Sequence, residues 1–414
     1  MGISLENGAC AVGTHCEASE RNDAPLYNFY SETSWIEELA KEQLVQLSHM
    51  DGVEQVAAFP DLHPGKFGPV GVSILADRVY PQLIGNDIGC GMSLFVLDVE
   101  VRKLKLEKCA HKLRALECAL ELDVSSELEE CGLLQLADTQ DLYLQSMGTI
   151  GGGNHFCELQ AIEEVFEPYV LEHLNIDKGQ ALLFVHSGSR GFGMSVFQTV
   201  EHCFADGLRA DSTELEVYLH LHDGAVCWAS LNRQIIAKRA AEALRTSCRM
   251  IADNAHNLVE RHGDKFIHRK GAAKADLPIV PLAGSRDALS YLLKPTEDVD
   301  LQKRSLFSLA HGSGRKYDRK SMKGRVGRNK SELQKLERTS FGGHVVCEDK
   351  QLLIEEAPNA YKNSRAVLTD LIEAHLVTPL LSLKPLLTFK KAQTLSNKTS
   401  KRPIKRSLKR RATR

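Results

Sequence analysis

Apolar residues recur at two different spacings along this chain. In residues 35–48 (WIEELAKEQLVQLS) they recur every three to four positions, which is the spacing of a helix with one buried face. The same spacing returns three more times. It predicts helical structure over 101–122, over 125–146 as one helix or a helical hairpin, and over the long stretch 225–262.

Shorter apolar runs, bounded by Gly, Pro and polar residues, predict β-strands. These strands cover 53–59, 70–75, 80–84, 93–99, 180–186, 278–282 and 305–310, with further short strands and a helix in 351–390. Between them, a polar loop is expected at 60–66, a turn at 266–271 and an exposed loop or helix at 316–340. The chain thus mixes helices and strands, shows no internal repeat, and has its one clear boundary near Lys391.

Several predicted strands lead into glycine-rich turns that carry potential metal ligands. The stretch 84–92 (IGNDIGCGM) places Asp87 and Cys90 three residues apart, where both side chains can face one ion. His155 follows a Gly-Gly-Gly-Asn turn, His186 closes an apolar strand, and His256 is placed in the last turns of the 225–262 helix. Carboxylate, thiolate and imidazole groups suit one or two transition-metal ions. On spacing alone, each of these residues also fits an ordinary buried or hydrogen-bonded structural role.

His311 has a different setting, because it ends a predicted strand and precedes Gly-Ser-Gly-Arg. Backbone N–H groups in such a turn can hold phosphate oxygens, and Arg315 can neutralise their charge. A histidine there can act as a nucleophile at phosphorus. The plainer alternative is a loop histidine beside a bound anion. The turns at 187–191 and 284–285 are likewise either phosphate sites or simple turns.

The charges are unevenly distributed. Residues 391–414 hold ten of the 52 Lys and Arg residues and no Asp or Glu, so the rest of the chain is acidic. A run of one sign predicts a solvated, disordered tail, which either contacts nucleic-acid phosphates or only aids solubility. The basic residues between 315 and 330 also suit RNA contact, or a solvated loop.

Three further observations bear on the compartment. The eleven cysteines follow no framework spacing, no apolar run reaches 18 residues, and residues 1–21 lack a signal-peptide pattern. A cytoplasmic protein with free thiols, and no association with membranes, is therefore expected.

Taken together, these segments resemble the RtcB family of RNA ligases over roughly residues 50–390. The resemblance is carried by PDLHPG (60–65), GNDIGCGM (85–92), GTIGGGNHFCEL (148–159), VHSGSRG (185–191), AHNLVE (255–260), HRKGA (268–272), AHGSGR (310–315) and EEAPNAYK (355–362). Residues 31–35 (SETSW), together with PDLHPG and GNDIGCGM, are similar to the bacterial branch of the family that is encoded beside release factor H. One departure is LAGSRD (282–287), where the family usually has PGSMG.

The resemblance implies an α+β fold, with a single large catalytic domain over 1–390 that has central mixed β-sheets flanked by helices. The basic tail over 391–414 is a second departure, because family members often end near the residue that matches Lys390. It implies a ligase that uses GTP and Mn²⁺ to join RNA 3′-phosphate or 2′,3′-cyclic phosphate ends to 5′-hydroxyl ends in RNA repair. Broken tRNA or rRNA ends would be the substrates, with a functional link to release factor H. In this chemistry His311 is guanylylated, and the guanylyl group then passes to the RNA 3′-phosphate.

The same resemblance assigns roles residue by residue. Two Mn²⁺ ions are expected on Asp87, Cys90, His155, His186 and His256, with Cys90 as the bridging thiolate. The residues expected to bind the nucleotide and its phosphates are Asn154, Glu158, Ser285, Ser290, Gly312, Gly314, Arg315, Tyr361 and Lys390. Lys390 is preferred to Lys391 because it directly follows the strand 386–389, and Asp61 is expected to support the metal site.

Two other functions stay open. One is a metal-dependent RNA phosphoesterase or cyclic-phosphate hydrolase, and the other is a non-catalytic RNA-binding protein that binds through its tail. The intact turn 310–315 and Glu158 favour guanylylation over hydrolysis, and a complete set of five ligands argues against a non-catalytic protein. The ligand types alone favour Zn²⁺, whereas Mn²⁺ comes from the resemblance.

Overall fold

The computed structural model describes residues 23–118, 123–137, 140–327 and 329–392. Its strands are β1 (Leu26–Asn28), β2 (Val53–His63), β3 (Val70–Ala76), β4 (Arg78–Val79), β5 (Gly91–Glu100), β6 (Phe156–Val165), β7 (Gln180–Ser187), β8 (Leu208–Arg209), β9 (Cys248–Ala255), β10 (Asn257–His262), β11 (Lys265–Lys270), β12 (Ala272–Lys274), β13 (Val280–Leu282), β14 (Ser290–Pro295), β15 (Ser308–Ala310), β16 (His344–Cys347) and β17 (Val377–Lys391).

The α-helices are short, with one exception of 32 residues. They are α1 (Glu38–Ser48), α2 (Leu106–Lys112), α3 (Ser125–Glu130), α4 (Leu134–Ala137), α5 (Tyr169–His173), α6 (Arg190–Thr199), α7 (Thr213–Leu244), α8 (Val299–Arg304), α9 (Met322–Arg325), α10 (Lys330–Lys335), α11 (Lys350–Glu355) and α12 (Ser364–Glu373). Among the described residues, none of these helices has the length and apolar character needed to cross a membrane.

A five-stranded sheet has the order β1-β2-β3-β11-β10. Its strands pair antiparallel, apart from the parallel pair β1 and β2. Helix α1 packs on it, with Leu44 and Leu47 in the same buried cluster as Val56 and Ala58 of β2. The apolar helical spacing seen in the sequence is thus the face that covers this sheet.

The larger sheet has the order β13-β14-β17-β6-β7-β5-β9, and β16 adds to it beside β17. The pairing is antiparallel except between β16 and β17. Strand β13 also lies close to β9 and β5, so the sheet curls and its two end strands approach each other. Two-stranded sheets of β12 with β15 and of β4 with β8 complete the set.

The curled sheet has an outer and an inner face, because successive side chains of a strand point to opposite sides. On β7, Leu183 and Val185 pack outward against Ile236 of α7, whereas Leu182 and Phe184 pack inward. Towards one end of the inner face the buried residues become polar. They are Glu158, Gln160, His186, Thr388 and Lys390.

The predicted helix over 225–262 is wrong in its second half. Helix α7 ends at Leu244, where Arg245 adopts the left-handed conformation (φ 63°) and caps it. The chain then forms β9, which pairs with β5 along its length, and β10, which pairs with β11. Backbone pairing, of β9 with a distant strand and of β10 with the strand that follows it, overrides a helical spacing of apolar residues. His256 therefore lies between two strands and not on a helix.

Other boundaries also differ from the sequence predictions. Strand β2 continues through Pro60 to His63, so most of the expected 60–66 loop is strand, and the expected 266–271 turn is strand β11. The predicted strand 80–84 is a 3-10 helix over Pro81–Leu83, which starts at a proline. The helical region 125–146 contains only the short α3, α4 and a 3-10 turn in its described part.

The expected α+β class, with mixed sheets flanked by helices in a single domain, is confirmed. At its C-terminal end, β17 includes Lys391, and Ala392 is buried among the core residues. The predicted disordered tail lies, from residue 393 onward, outside the described residues.

Candidate active site

A cavity of about 1290 Å³ opens at the polar end of the inner face. It brings together residues that are far apart in sequence, from His63 at the C-terminal end of β2 to Lys390 near the C-terminal end of β17. Of the site residues predicted from sequence, its lining includes Asp87, Cys90, Asn154, His155, Glu158, His186, His256, Ser285, His311, Gly312, Gly314, Arg315, Tyr361 and Lys390.

Cys90 and Asp87 are placed by a tight turn before β5. The Cys90 N–H donates to the Asp87 carbonyl at 3.1 Å, which turns both side chains toward the cavity. Between them, Gly89 has a φ of +71°, and a Cβ there would lie 2.8 Å from the Cα of Val226 on α7. Only glycine fits this position without strain, because the turn lies directly against the long helix.

Three further side chains converge on this turn. The Cys90 Sγ lies 3.3 Å from His155 Nε2 and 3.2 Å from His186 Nε2, and His155 Nε2 lies 2.9 Å from Asp87 Oδ2. The other ring nitrogen of His155 is 3.1 Å from the Ile150 carbonyl. A histidine that donates from Nδ1 to a carbonyl keeps the Nε2 lone pair for a metal ion.

His256 joins this group through the strand break that the sequence did not predict. Its backbone N–H donates to the Cys90 carbonyl at 2.8 Å, and its ring centroid lies 5.2 Å from that of His186. On the other side its ring lies 4.5 Å from the ring of His311. His256 thus connects the thiolate–imidazole cluster to the candidate nucleophile.

The electrostatics of these residues fit a bound cation. Burial lowers the pKa of His186 and of His256 well below the usual value, which keeps both rings neutral. Burial and the Asp87 carboxylate raise the pKa of Cys90, while the neighbouring histidines lower the pKa of Asp87 despite its burial. A metal ion reverses the penalty on the thiolate, so this donor set suits a transition metal.

His311 is oriented by two acceptors on one ring nitrogen. Its Nδ1 lies 2.6 Å from Asp61 Oδ2 and 2.6 Å from the Gly271 carbonyl, and its backbone N–H donates to Asp61 Oδ2 at 3.2 Å. Nδ1 therefore carries the proton, and Nε2 has a free lone pair. Asp61, which the sequence placed in support of the metal ligands, contacts His311 instead.

A second group of charges lines the cavity around Glu356. This carboxylate lies 3.2 Å from Arg315 Nη1 and 3.2 Å from Arg319 Nε, and it accepts a short hydrogen bond from the Tyr361 hydroxyl. Burial alone would raise the pKa of Glu356, but Lys390, Arg315 and Tyr361 hold it at about 2. Glu356 was not singled out from sequence, although it lies within the EEAPNAYK segment.

Glu158 lies nearby on β6, where its neighbours offset the effect of burial on its pKa less completely. It accepts from Gln160 Nε2 at 2.6 Å and from the Thr388 hydroxyl. Burial raises its pKa to about 7, and burial likewise lowers the pKa of Lys390 to about 8. Lys390 faces the cavity, whereas Lys391 points out toward Asp349 at 3.8 Å. Because both pKa values lie near neutral pH, a polar ligand beside Glu158 and Lys390 would change their protonation.

The segment 282–287 occupies the same region. Ser285 lines the cavity, but Ser290 lies behind it, where its hydroxyl accepts from the Gly284 N–H at 3.0 Å. Ser290 therefore holds the turn in place. Arg286, the departure from the family pattern, lines the cavity and donates to the Leu353 carbonyl at 3.1 Å.

Sequence reasoning gave no role to two other cations in the cavity, Arg190 and Lys270. Arg190 has a φ of +55°, and its buried Nε has no hydrogen-bond partner among the described residues. Lys270 donates to the Ile84 carbonyl beside the metal-ligand turn. A basic residue directly after a Ser-Gly-Ser turn was the available signal for Arg190, whereas Lys270 reaches the site only through the pairing of β11.

Known proteins resemble this chain over most of its length. The sequence model of the RtcB family, described as tRNA-splicing ligase RtcB, matches residues 43–142 and 125–391. An RNA-splicing ligase RtcB2 from Escherichia coli is 39% identical over 371 residues, which cover 88% of this chain and 95% of that protein. A tRNA-splicing ligase RtcB from Archaeoglobus fulgidus is 28% identical over 443 residues, covering 85% of this chain and 91% of that protein. The chain therefore belongs to the RtcB family of RNA ligases.

Proposed function

We propose that this protein uses GTP and Mn²⁺ to join RNA 3′-phosphate or 2′,3′-cyclic phosphate ends to 5′-hydroxyl ends through a guanylylated His311. The observation that carries the proposal is the orientation of His311. Asp61 and the Gly271 carbonyl hold the proton on Nδ1, so Nε2 presents a lone pair beside His256 and the candidate metal ligands.

In the first step, His311 Nε2 attacks the α-phosphorus of GTP. The N–P bond forms as the bond from phosphorus to the pyrophosphate oxygen breaks. The imidazole gains positive charge during the attack, and the Asp61 carboxylate at 2.6 Å stabilises that charge. The turn Gly312–Arg315 lines the cavity beside His311, where positioned donors would neutralise charge on the reacting phosphate.

In the later steps the guanylyl group passes from His311 to an oxygen of the RNA 3′-phosphate, which frees Nε2. The 5′-hydroxyl of the second strand then attacks the phosphorus of that activated end, and GMP leaves. Bound Mn²⁺ would neutralise phosphate charge during these displacements. The residues that would hold the ions are Asp87, Cys90, His155, His186 and His256.

Guanine recognition is assigned to the polar group around Glu158. A carboxylate can accept hydrogen bonds from the N–H groups on the guanine edge, and Tyr361, Ser285 and Lys390 line the same part of the cavity. Asn154 and Arg190, which line the cavity near His155, are suited to the RNA or nucleotide phosphates. Broken tRNA or rRNA as substrate, a link to release factor H and a cytoplasmic location stay predictions.

The direct test is labelling of the protein with GTP that carries a radioactive α-phosphate, in the presence of Mn²⁺ and followed by denaturing electrophoresis. Wild-type protein should retain acid-labile label, and His311→Ala should retain none. A matched control is His173→Ala, an exposed histidine outside the cavity, which should be labelled normally. An unlabelled wild type that still hydrolyses cyclic phosphate would show a phosphoesterase and overturn the ligase proposal.

A further inference from the structure

A second, smaller cavity of about 290 Å³ adjoins the active-site cavity. Lys66, Asn86, Met194 and Lys270 line both cavities, so the two share a wall. Asn86 immediately precedes Asp87, a candidate metal ligand. None of the described residues around the proposed guanine position, Glu158 and Lys390 among them, lines the smaller cavity. It therefore extends the site away from the nucleotide end.

The walls of the smaller cavity are mainly apolar and partly aromatic. They include Leu47, Phe67, Pro69, Ile74, Leu83 and Phe197. Phe67 is 39% exposed, and its ring contacts those of Phe197 and Phe204, with centroids 6.0 and 5.6 Å away. An exposed ring that is fixed by its neighbours offers a flat stacking surface.

The charges are ordered along the two cavities. Lys66 and Lys270 lie where the cavities meet. The Lys66 Nζ lies over the Phe67 ring, 4.5 Å from its centroid, so a base that stacks on this face displaces the ammonium. The acidic residue on the smaller cavity is Glu201, which does not line the larger one. Positive charge at the junction suits a phosphate, whereas a carboxylate repels phosphate and accepts from the N–H groups of a base.

We propose that the smaller cavity binds the nucleobase of the RNA nucleotide that carries the 3′-phosphate, with the base stacked on Phe67. This inference rests on the proposed ligase function, because it requires an RNA 3′-phosphate at the metal ligands. One nucleotide spans the junction, with its phosphate beside Lys66 and Lys270 and its base between Phe67 and Leu83. Stacking accepts any base, so the subsite positions the end without reading its sequence.

The test is direct binding of a short labelled RNA with a 3′-phosphate, with Mn²⁺ and without GTP. Wild-type protein should bind this RNA about 5- to 100-fold more tightly than the same RNA with an abasic 3′-terminal nucleotide. Phe67→Leu, which keeps apolar contact with Phe197 and Phe204, should abolish most of that difference. The abasic nucleotide and Phe67→Leu remove the same stacking contact, so their effects on binding affinity are not additive.

The control variant is Phe166→Leu, which alters a ring of similar exposure (36%) that lines neither cavity and should preserve the full difference. Equal binding of intact and abasic RNA by the wild type, or an unchanged difference in Phe67→Leu, overturns the subsite. An affinity loss that follows an abasic nucleotide at the 5′-hydroxyl end, and not at the 3′ end, overturns the assignment to the 3′-phosphate nucleotide. Labelling with GTP is measured separately. If labelling fails and the ligase proposal is wrong, the binding measurement still decides whether the smaller cavity binds the 3′-terminal base.

Discussion

At the scale of single residues, the pair His311 and Asp61 decides which atom can react. A neutral imidazole has one donor and one acceptor nitrogen, and the hydrogen bond on one nitrogen fixes the role of the other. Here a buried carboxylate and a backbone carbonyl share Nδ1. In the proposed guanylylation the carboxylate would have a further role, because it would oppose the positive charge that the ring gains as Nε2 bonds to phosphorus.

Asp61→Asn should therefore slow the guanylylation of His311 by about 10²- to 10⁴-fold. The amide can still accept from Nδ1 but brings no negative charge. The rate of label incorporation from GTP at saturating concentration measures the effect, and the GTP concentration at half-maximal rate should change little. A variant labelled at the wild-type rate would show that Asp61 only fills space.

Glu158 links the proposed nucleotide site to stability. Its pKa is about 7 in the folded protein, against 4.5 for an unperturbed glutamate. Between pH 4.5 and 7, the Glu158 carboxyl keeps its proton in the folded state but has released it in the unfolded state. Stability from this group is complete below pH 4.5 and is lost as the pH rises through 7.

Glu158→Gln should remove this loss, since the amide is neutral at every pH. The variant should be more stable than the wild type above pH 7, by roughly 3 kcal/mol, and the gap should close toward pH 4.5. Denaturant unfolding at several pH values measures it. The same variant should be labelled poorly by GTP, and a constant gap across the pH range would contradict the assignment.

At the scale of elements, helix α7 supports the metal-ligand turn from behind. Its fully buried Arg233 donates to the Gly89 carbonyl at 2.9 Å, to the Ser187 carbonyl at 3.0 Å and to Ser93 Oγ at 2.8 Å. It also forms an ion pair with Asp253 at 2.8 Å. One guanidinium thus fixes the turn before β5, the end of β7 and the strand β9.

Arg233→Met should cost about 3–5 kcal/mol of stability, because it removes the ion-pair partner of the partly buried Asp253 and a donor to two carbonyls. It should also weaken Mn²⁺ binding about 10- to 100-fold through the displaced ligand turn. Denaturant unfolding and calorimetric metal titration measure the two effects. Lys238→Met, a change at a half-exposed position of the same helix, is the matched control, with an expected stability change within about 0.5 kcal/mol.

The elements also show where apolar spacing informs and where it misleads. It located α1, β3 and β7 closely, because each buries one face or one continuous run against a neighbour. It failed after Leu244, where β9 and β10 are held by pairing with β5 and β11. The β9 pairing depends on residues more than 150 positions away in sequence, so no local window contains it, whereas β10 pairs with the strand that directly follows it.

At the scale of the whole molecule, the acidic body and the basic tail predict different salt responses. Residues 393–414 carry nine of the ten basic residues of the tail, and Lys391 and Ala392 belong to the folded domain. Deletion of 393–414 should therefore leave folding and GTP labelling intact. It should weaken RNA binding and make that binding less dependent on salt.

The measurement is the slope of the logarithm of the RNA association constant against the logarithm of salt concentration. Each phosphate neutralised on a single strand contributes about −0.7 to that slope, so the deletion should make the slope less negative by several such steps. A slope that is unchanged by the deletion would show that the tail only aids solubility.

The sequence by itself determined the family and the side chains available for its chemistry. The glycine-flanked Asp87 and Cys90, the isolated histidines and the turn after His311 indicated candidate metal ligands and a candidate nucleophile, because side-chain chemistry is local to each residue. Only the tertiary structure decided which residues act together. Asp61 reached His311 and not the metal ligands, Ser290 lay behind the cavity, and His256, Arg190 and Lys270 entered it. These positions depend on strand pairing and on the curl of the sheet, which are set by contacts between distant segments.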